Sequence, residues 1–257
     1  MPFRHKPERH LLVMMKQILA VTSGKGGVGK TSICAALGHA FSAIGMKTVI
    51  VELDSGLRGL DLMLGVHQSN LDLSDIIKGR CKPVEAAYIS AKSERLFLIP
   101  ASTDASVVLS AQRVKQICNG LLAAFDVVIL DMPAGVHTTS EILSQVSATS
   151  LMVVTPDPVC VRDAASFNTI LHQKGITDLK MIINKVPRKL HKNYKFKNLD
   201  QVIDDTYTQL IGVIPYSEGF QNALLAYLPP DPSTVWGRAV FNIAHRVLGH
   251  YVPLAVQ

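Results

Sequence analysis

Short apolar runs separated by longer stretches of mixed polarity recur along the whole chain. The runs are KQILAVTS, KTVIVELD, RLFLIPAS, DVVILDMPAG, SLMVVTPD, LKMIINKV and LIGVIP. Each has the length of a buried strand and falls far short of a membrane span. The segments between them carry apolar residues at spacings of three and four, most clearly SAQRVKQICNGLLAAF, and so predict helices. TSICAALGHAFSAIGM, TTSEILSQVSA, CVRDAASFNTILHQ and LDQVIDDTYTQ read the same way, and LSDIIKGR and PVEAAYIS read as shorter helices. A final helix is expected over roughly 234–249, with Trp236, Val240, Ile243, Ala244, Val247, Leu248 and Tyr251 forming its core-facing stripe. Strands alternating with helices predict an α/β fold: a single domain with a mainly parallel β-sheet flanked by helices on both faces.

Composition changes this picture little. The 257 residues are 48% hydrophobic and 18% charged, as in an ordinary globular protein. Cys34, Cys81, Cys118 and Cys160 stand far apart with no CxxC pair, which argues against a disulfide framework or a zinc site and for buried thiols. The net charge of +6 is uneven. Residues 1–16 hold Arg4, Lys6, Arg9 and Lys16 against Glu8, and 184–198 hold Lys185, Arg188, Lys189, Lys192, Lys195 and Lys197 with no acid, so the remaining body is mildly acidic. The segment 1–15 reads as a basic N-terminal extension to a domain spanning 16–257. Its apolar LLVMM is too short for a signal-peptide core, so the chain is expected in the cytoplasm or peripherally at the inner face of the membrane.

The chemistry is concentrated in SGKGGVGKTS, residues 23–32, which fits G-x-x-x-x-G-K-[ST] between a strand and a helix. Gly24, Gly26, Gly27, Val28 and Gly29 can turn backbone N–H groups toward a phosphate at the positive end of the following helix. Lys30 can reach the β- and γ-phosphates, the Thr31 hydroxyl can ligate Mg²⁺, and Ser32 completes the cradle. The motif makes the fold that of a P-loop NTPase and implies ATP or ADP with Mg²⁺. Asp131 follows four apolar residues in VVILDMPAG, a position suited to orienting the metal through water. Glu52 and Asp54 end another strand, where a carboxylate can position the attacking water or support the metal shell; Asp54 could instead only cap the turn at GLRGLD.

The loop's second lysine, Lys25, has no role in a simple phosphate cradle. SGKGGVGKTS resembles the deviant Walker A motif of the MinD/ParA family of P-loop ATPases, ELDSGLRGLDLMLG resembles that family's switch I in its MinD branch, and LDMPAG its switch II. RLFLIPAS, VVTPDPVCVRDA and IGVIPYSE fall in the same order, so the likeness spans roughly 16–250. It implies an ATP-dependent dimerising switch with slow hydrolysis, acting in septum placement. Lys25 would reach a partner subunit's phosphates across a homodimer, with Lys30, Thr31 and Asp131 acting within the subunit and Asp54 aligning water. Asn184 and the backbone at Pro215 would read adenine, and an amide offers the donor and acceptor this needs. Partners of MinC/MinE type, and contact with membrane or DNA, are further implications.

Three positions depart from the family pattern. Position 52 is Glu rather than Asp, which would shift the metal's outer shell by one methylene. Position 132 is Met rather than Ser, which removes a hydroxyl beside the γ-phosphate. After the final helix only HYVPLAVQ remains, and an eight-residue tail with Pro253 cannot form a membrane-targeting helix. The basic run at 184–198 keeps a ParA-type DNA-partition ATPase as an alternative, alongside a flagellar-number regulator, and salt-dependent binding to duplex DNA would mark the former. An iron–sulfur scaffold ATPase is disfavoured by the cysteine spacing.

Overall fold

The computed structural model describes residues 16–54, 58–104, 106–133, 135–187 and 199–254. The N-terminal extension and most of the basic run at 184–198 lie outside these residues.

Every apolar run named above becomes a strand: β1 (Gln17–Thr22), β2 (Thr48–Glu52), β4 (Ser93–Ile99), β5 (Val127–Asp131), β6 (Thr149–Val154), β7 (Leu179–Val186) and β8 (Gln209–Pro215). A three-residue strand, β3 (Tyr88–Ser90), is added at one edge. All join one sheet in the order β3-β4-β2-β5-β1-β6-β7-β8, parallel except for β3, which pairs antiparallel with β4. β2 and β5 are buried at every position, as the unbroken apolar pattern of a parallel sheet covered on both faces requires.

The helices are α1 (Lys30–Ala43), α2 (Leu60–Leu64), α3 (Leu73–Ile77), α4 (Ala111–Leu122), α5 (Val136–Gln145), α6 (Pro158–Gln173), α7 (Asp200–Thr206), α8 (Glu218–Leu225) and α9 (Val235–Val247). α1 packs with α2, α8 and α9 in one layer, and α4 through α7 pack in sequence in the other. α4 buries Val114, Ile117, Cys118 and Leu121, the residues its spacing selects. α9 buries Trp236, Val240, Ile243 and Ala244, with Val247 and Leu248 packed against the core. Tyr251 is a correction to that stripe: the helix ends at Val247 and Tyr251 lies 93% exposed beyond it. PVEAAYIS is a second correction, since only Pro83–Ala86 is helical, as a single 3₁₀ turn, and Tyr88–Ser90 leaves to pair with β4. Cys34, Cys118 and Cys160 are buried and Cys81 half-buried, all unpaired.

Register decides where the chemistry lies. Val21 of β1 pairs with Asp131 of β5, and Glu52 of β2 pairs with the same Asp131. The strand before the glycine loop and the two strands ending in carboxylates therefore stand side by side at the sheet's carboxyl edge, where ligands of open α/β sheets bind.

Candidate nucleotide site

The glycine loop leaves β1 and enters α1 at Lys30, with Gly29 as N-cap in a left-handed conformation, φ 100°, and no side chain capping the helix. The first amides of α1 thus remain to be satisfied by a ligand, which is how such an end binds phosphate. Gly24 is needed for a close approach: a Cβ there would lie 2.8 Å from the Asp163 carbonyl oxygen in α6. Over Gly26 and Gly27 there is open space, and Gly27 also has positive φ. Lys30 is buried in the site, Val28 packs into the core, and Thr31 and Ser32 are half-buried in the first turn.

The Thr31 hydroxyl donates to Asp131 Oδ2 at 2.8 Å, which joins two expected magnesium-site residues. Asp131 is 1% exposed, and its Oδ1 is buried without a well-formed hydrogen bond. The nearby Cys34 thiol offers it only a weak donor. Burial pushes the Asp131 carboxyl up to about 6, opposed by the Thr31 hydrogen bond and the Lys30 ammonium and reinforced by Glu52. A buried oxygen lacking a partner, a hydroxyl beside it and an uncapped helix end form a set that fits a hydrated divalent cation and a polyphosphate. Bound there, Mg²⁺ would neutralise phosphate charge, held by Thr31 and, through water, by Asp131.

Lys25 does not enter its own phosphate cradle. Its ammonium lies 3.4 Å from Asp157 Oδ1, with the two side chains 42% and 38% exposed. Asp157 is the N-cap of α6: Oδ1 accepts from Cys160 N at 2.9 Å and Oδ2 from the Thr155 hydroxyl at 2.6 Å. Partial burial raises its pKa, but these donors and Lys25 outweigh it and hold the carboxyl below its usual value. Lys25, Gly27, Thr155, Asp157 and Lys185 line a cavity of about 300 Å³ beside the loop. A larger depression of about 490 Å³ along α4 is lined by Ala111, Lys115 and side-chain amides.

The end of β7 grips the loop. The Asn184 side-chain amide donates to Val28 O at 2.8 Å, and Lys185 Nζ donates to Gly27 O at 2.8 Å. Successive strand residues normally face opposite sides. Here the β7–β8 register shifts between Ile183 and Val186, and Lys185 sits at φ 56°, so both side chains reach adjacent loop carbonyls. Pro215 ends β8 next to Val186. Sequence reasoning missed Lys185 as a loop contact. Its one signal was its place after Asn184 at the carboxyl end of a parallel strand.

Asp54 is half-buried in the segment after β2. The N-cap of α2 is Gly59, which has no side chain to cap the helix, and Asp54 does not serve as that residue. Instead Glu52 Oε1 accepts from Gly59 N at 3.0 Å and Leu60 N at 3.3 Å, and Oε2 accepts from Ala101 N at 3.2 Å. Burial raises the Glu52 carboxyl above its usual value in spite of these amides. Met132 is wholly buried, so its side chain is part of the core.

With this geometry in place, the comparisons are specific. A family profile described as "ParA: NUBPL iron-transfer P-loop NTPase" matches residues 14–224. The chain belongs to the ParA/MinD family of P-loop NTPases. It is 32% identical to the septum site-determining protein MinD of Bacillus subtilis, over 94% of this chain and 92% of that one. The MinC:MinD cell division protein complex of Aquifex aeolicus contains a chain that superposes with TM-score 0.84 at 26% identity, covering 93% of this chain and 99% of that one. MinD of Pyrococcus horikoshii, complexed with Mg-ADP, superposes with TM-score 0.77 at 25% identity, covering 91% of this chain and 96% of that one. This chain is a MinD-like P-loop ATPase, and no cluster of three or more His, Cys, Asp or Glu suited to a metal occurs among the described residues.

Proposed function

We propose that this ATPase is a dimerising switch of septum placement, closed by ATP across two copies of the chain and opened by slow hydrolysis. The observation that carries the reading is the division of labour between the two lysines. Lys30 is buried at the head of α1, while Lys25 stands outside its own cradle, held loosely by Asp157 on the surface. A lysine held by one exposed ion pair is free to exchange that carboxylate for a second subunit's phosphates at small cost. Binding is thereby coupled to assembly, because the γ-phosphate supplies contacts present in only one state.

Within the subunit, Lys30 and the loop amides hold phosphate, Thr31 and Asp131 hold Mg²⁺, and Asp54 aligns water. Asn184 commits one of its two amide donors to Val28 O, and its amide oxygen would accept from the adenine amine, with the backbone at Pro215 beside it. The dimer presents the surface for division regulators of the kind that MinC is to Aquifex aeolicus MinD. No described helix is long and apolar enough to cross a membrane, and attachment at the inner face of the membrane is peripheral in this reading.

Sedimentation with ATP, ADP and no nucleotide, in parallel with anionic liposomes and duplex DNA, tests the proposal. The expected result is a dimer with ATP alone, lost in Lys25→Ala. An ATP-independent oligomeric state, or a Lys25→Ala variant that dimerises like the parent, refutes it. Salt-sensitive recovery on DNA rather than liposomes moves the function to partition.

A further inference from the structure

Glu52 occupies the place from which a carboxylate would be expected to support the metal. It stands level with Asp131 on the neighbouring strand and is 1% exposed. Yet both its oxygens are spent on backbone. Oε1 takes the first two amides of the α2 end, Gly59 and Leu60, and Oε2 takes Ala101 N in the segment after β4. Arg58 grips the other side of the same residue: Nε and Nη2 donate to Ala101 O at 3.0 and 2.8 Å. Nη2 also reaches Asp72 Oδ2 at 3.4 Å, and that oxygen accepts from Thr103 N and its hydroxyl. Ala101 is therefore held at its N–H by the root of switch I and at its C=O by the exit of switch I. The exit lies against the magnesium-site threonine, since a Cβ on Gly59 would come 3.9 Å from Thr31 Cγ2.

We propose that Glu52 is a positioning residue for switch I, strapping both ends of the Asp54-bearing segment to Ala101 in the segment after β4 rather than entering the magnesium shell. The extra methylene of Glu over Asp is what lets one carboxylate reach amides on two separate segments. A carboxylate accepts at about four positions, and three are filled here by backbone amides, so little remains for a metal-bound water. Glu52 itself and the Arg58–Leu60 turn are both tied to Ala101, which limits where Asp54, two residues after Glu52, can place an attacking water. The inference rests on the ATPase reading for its kinetic part and on geometry alone for the strap itself.

Glu52→Gln tests it. An amide has one acceptor oxygen, so whichever way it is turned one side of the strap is lost. Amide hydrogen exchange of the nucleotide-free chain should accelerate about tenfold or more at Gly59, Leu60 or Ala101. With ATP, kcat should fall about tenfold or more, while KM and half-saturating Mg²⁺ stay within about twofold. Glu52→Asp should fail to restore either readout. Arg58→Ala, at a more exposed position that does not threaten folding, should raise exchange at Ala101 and lower kcat in the same direction. Unchanged exchange in Arg58→Ala, or faster exchange with unaltered kcat, overturns the proposal. So does a Glu52→Gln chain whose chief defect is a severalfold rise in the Mg²⁺ requirement. A parent chain that hydrolyses no ATP overturns the underlying reading, and the exchange data still decide whether the strap exists.

Discussion

Asp157→Asn should strengthen ATP-dependent dimerisation. The substitution removes the charge that holds Lys25 in its own subunit but keeps the rest of the corner. An asparagine oxygen still accepts from Cys160 N, and its amino group can donate to the Thr155 hydroxyl, which then acts as acceptor. What is lost is one ion pair at 3.4 Å between side chains 42% and 38% exposed. Pairs this exposed contribute about 0.5 kcal/mol. Closing the proposed dimer would break two of them, so their removal should favour assembly by about 1 kcal/mol, or roughly fivefold in the dimer dissociation constant. Sedimentation equilibrium with ATP and Mg²⁺ under conditions that block turnover reads this directly. The difference should shrink as salt is raised, because exposed pairs are screened. A weaker or unchanged dimer at low salt, in a variant with the parent's melting temperature, would refute the idea that Asp157 holds Lys25 back.

Other outcomes follow from single sites. His39 is 2% exposed, and burial holds its imidazole neutral until about pH 4. The unfolded chain takes up that proton below about 6.5, so stability falls as pH drops through 6.5 and levels off near 4, a loss of up to about 3 kcal/mol. In denaturant titrations between pH 7 and 4, the parent should lose up to about 3 kcal/mol relative to His39→Leu, which lacks the titrating group. Gly24→Ala presses a methyl against the Asp163 carbonyl, a backbone neighbour that cannot turn aside. A loss of about 1–3 kcal/mol by thermal melting, with much weaker binding of a fluorescent nucleotide, is expected. Asp131→Asn should retain nucleotide but raise the half-saturating Mg²⁺ about 10–100-fold in an ATPase titration, as loss of a water-mediated metal partner does.

The strands and the phosphate loop were legible because each is written locally. A parallel strand buried on both faces must be apolar throughout, and a phosphate cradle must spell its glycines and lysine in order. β3 was not legible because Pro83 and the alanines after it favour a helical turn, and only pairing with β4 draws Tyr88–Ser90 out straight. α8 follows a strand end too closely, and is too short, for periodicity to show. The candidate site residues could be named from the sequence, but their partners could not. Asp157 meets Lys25 across 132 residues, and Glu52 meets backbone amides, which no side-chain pattern records. The departure at position 52 is plain in the sequence, yet its consequence is geometric: the side chain accepts from backbone amides on two separate segments.

The ladder joining β1, β5 and β2 limits how such a machine can move. Val21, Asp131 and Glu52 are adjacent rungs, and Leu53 N closes a further bond to Asp131 O at 3.0 Å. The roots of the phosphate loop and of both switches are thus one rigid plate, like the bed of a lathe. Whatever work the γ-phosphate performs must be expressed in the short free lengths beyond that plate, so small motions are delivered in a fixed direction and not dissipated through the sheet.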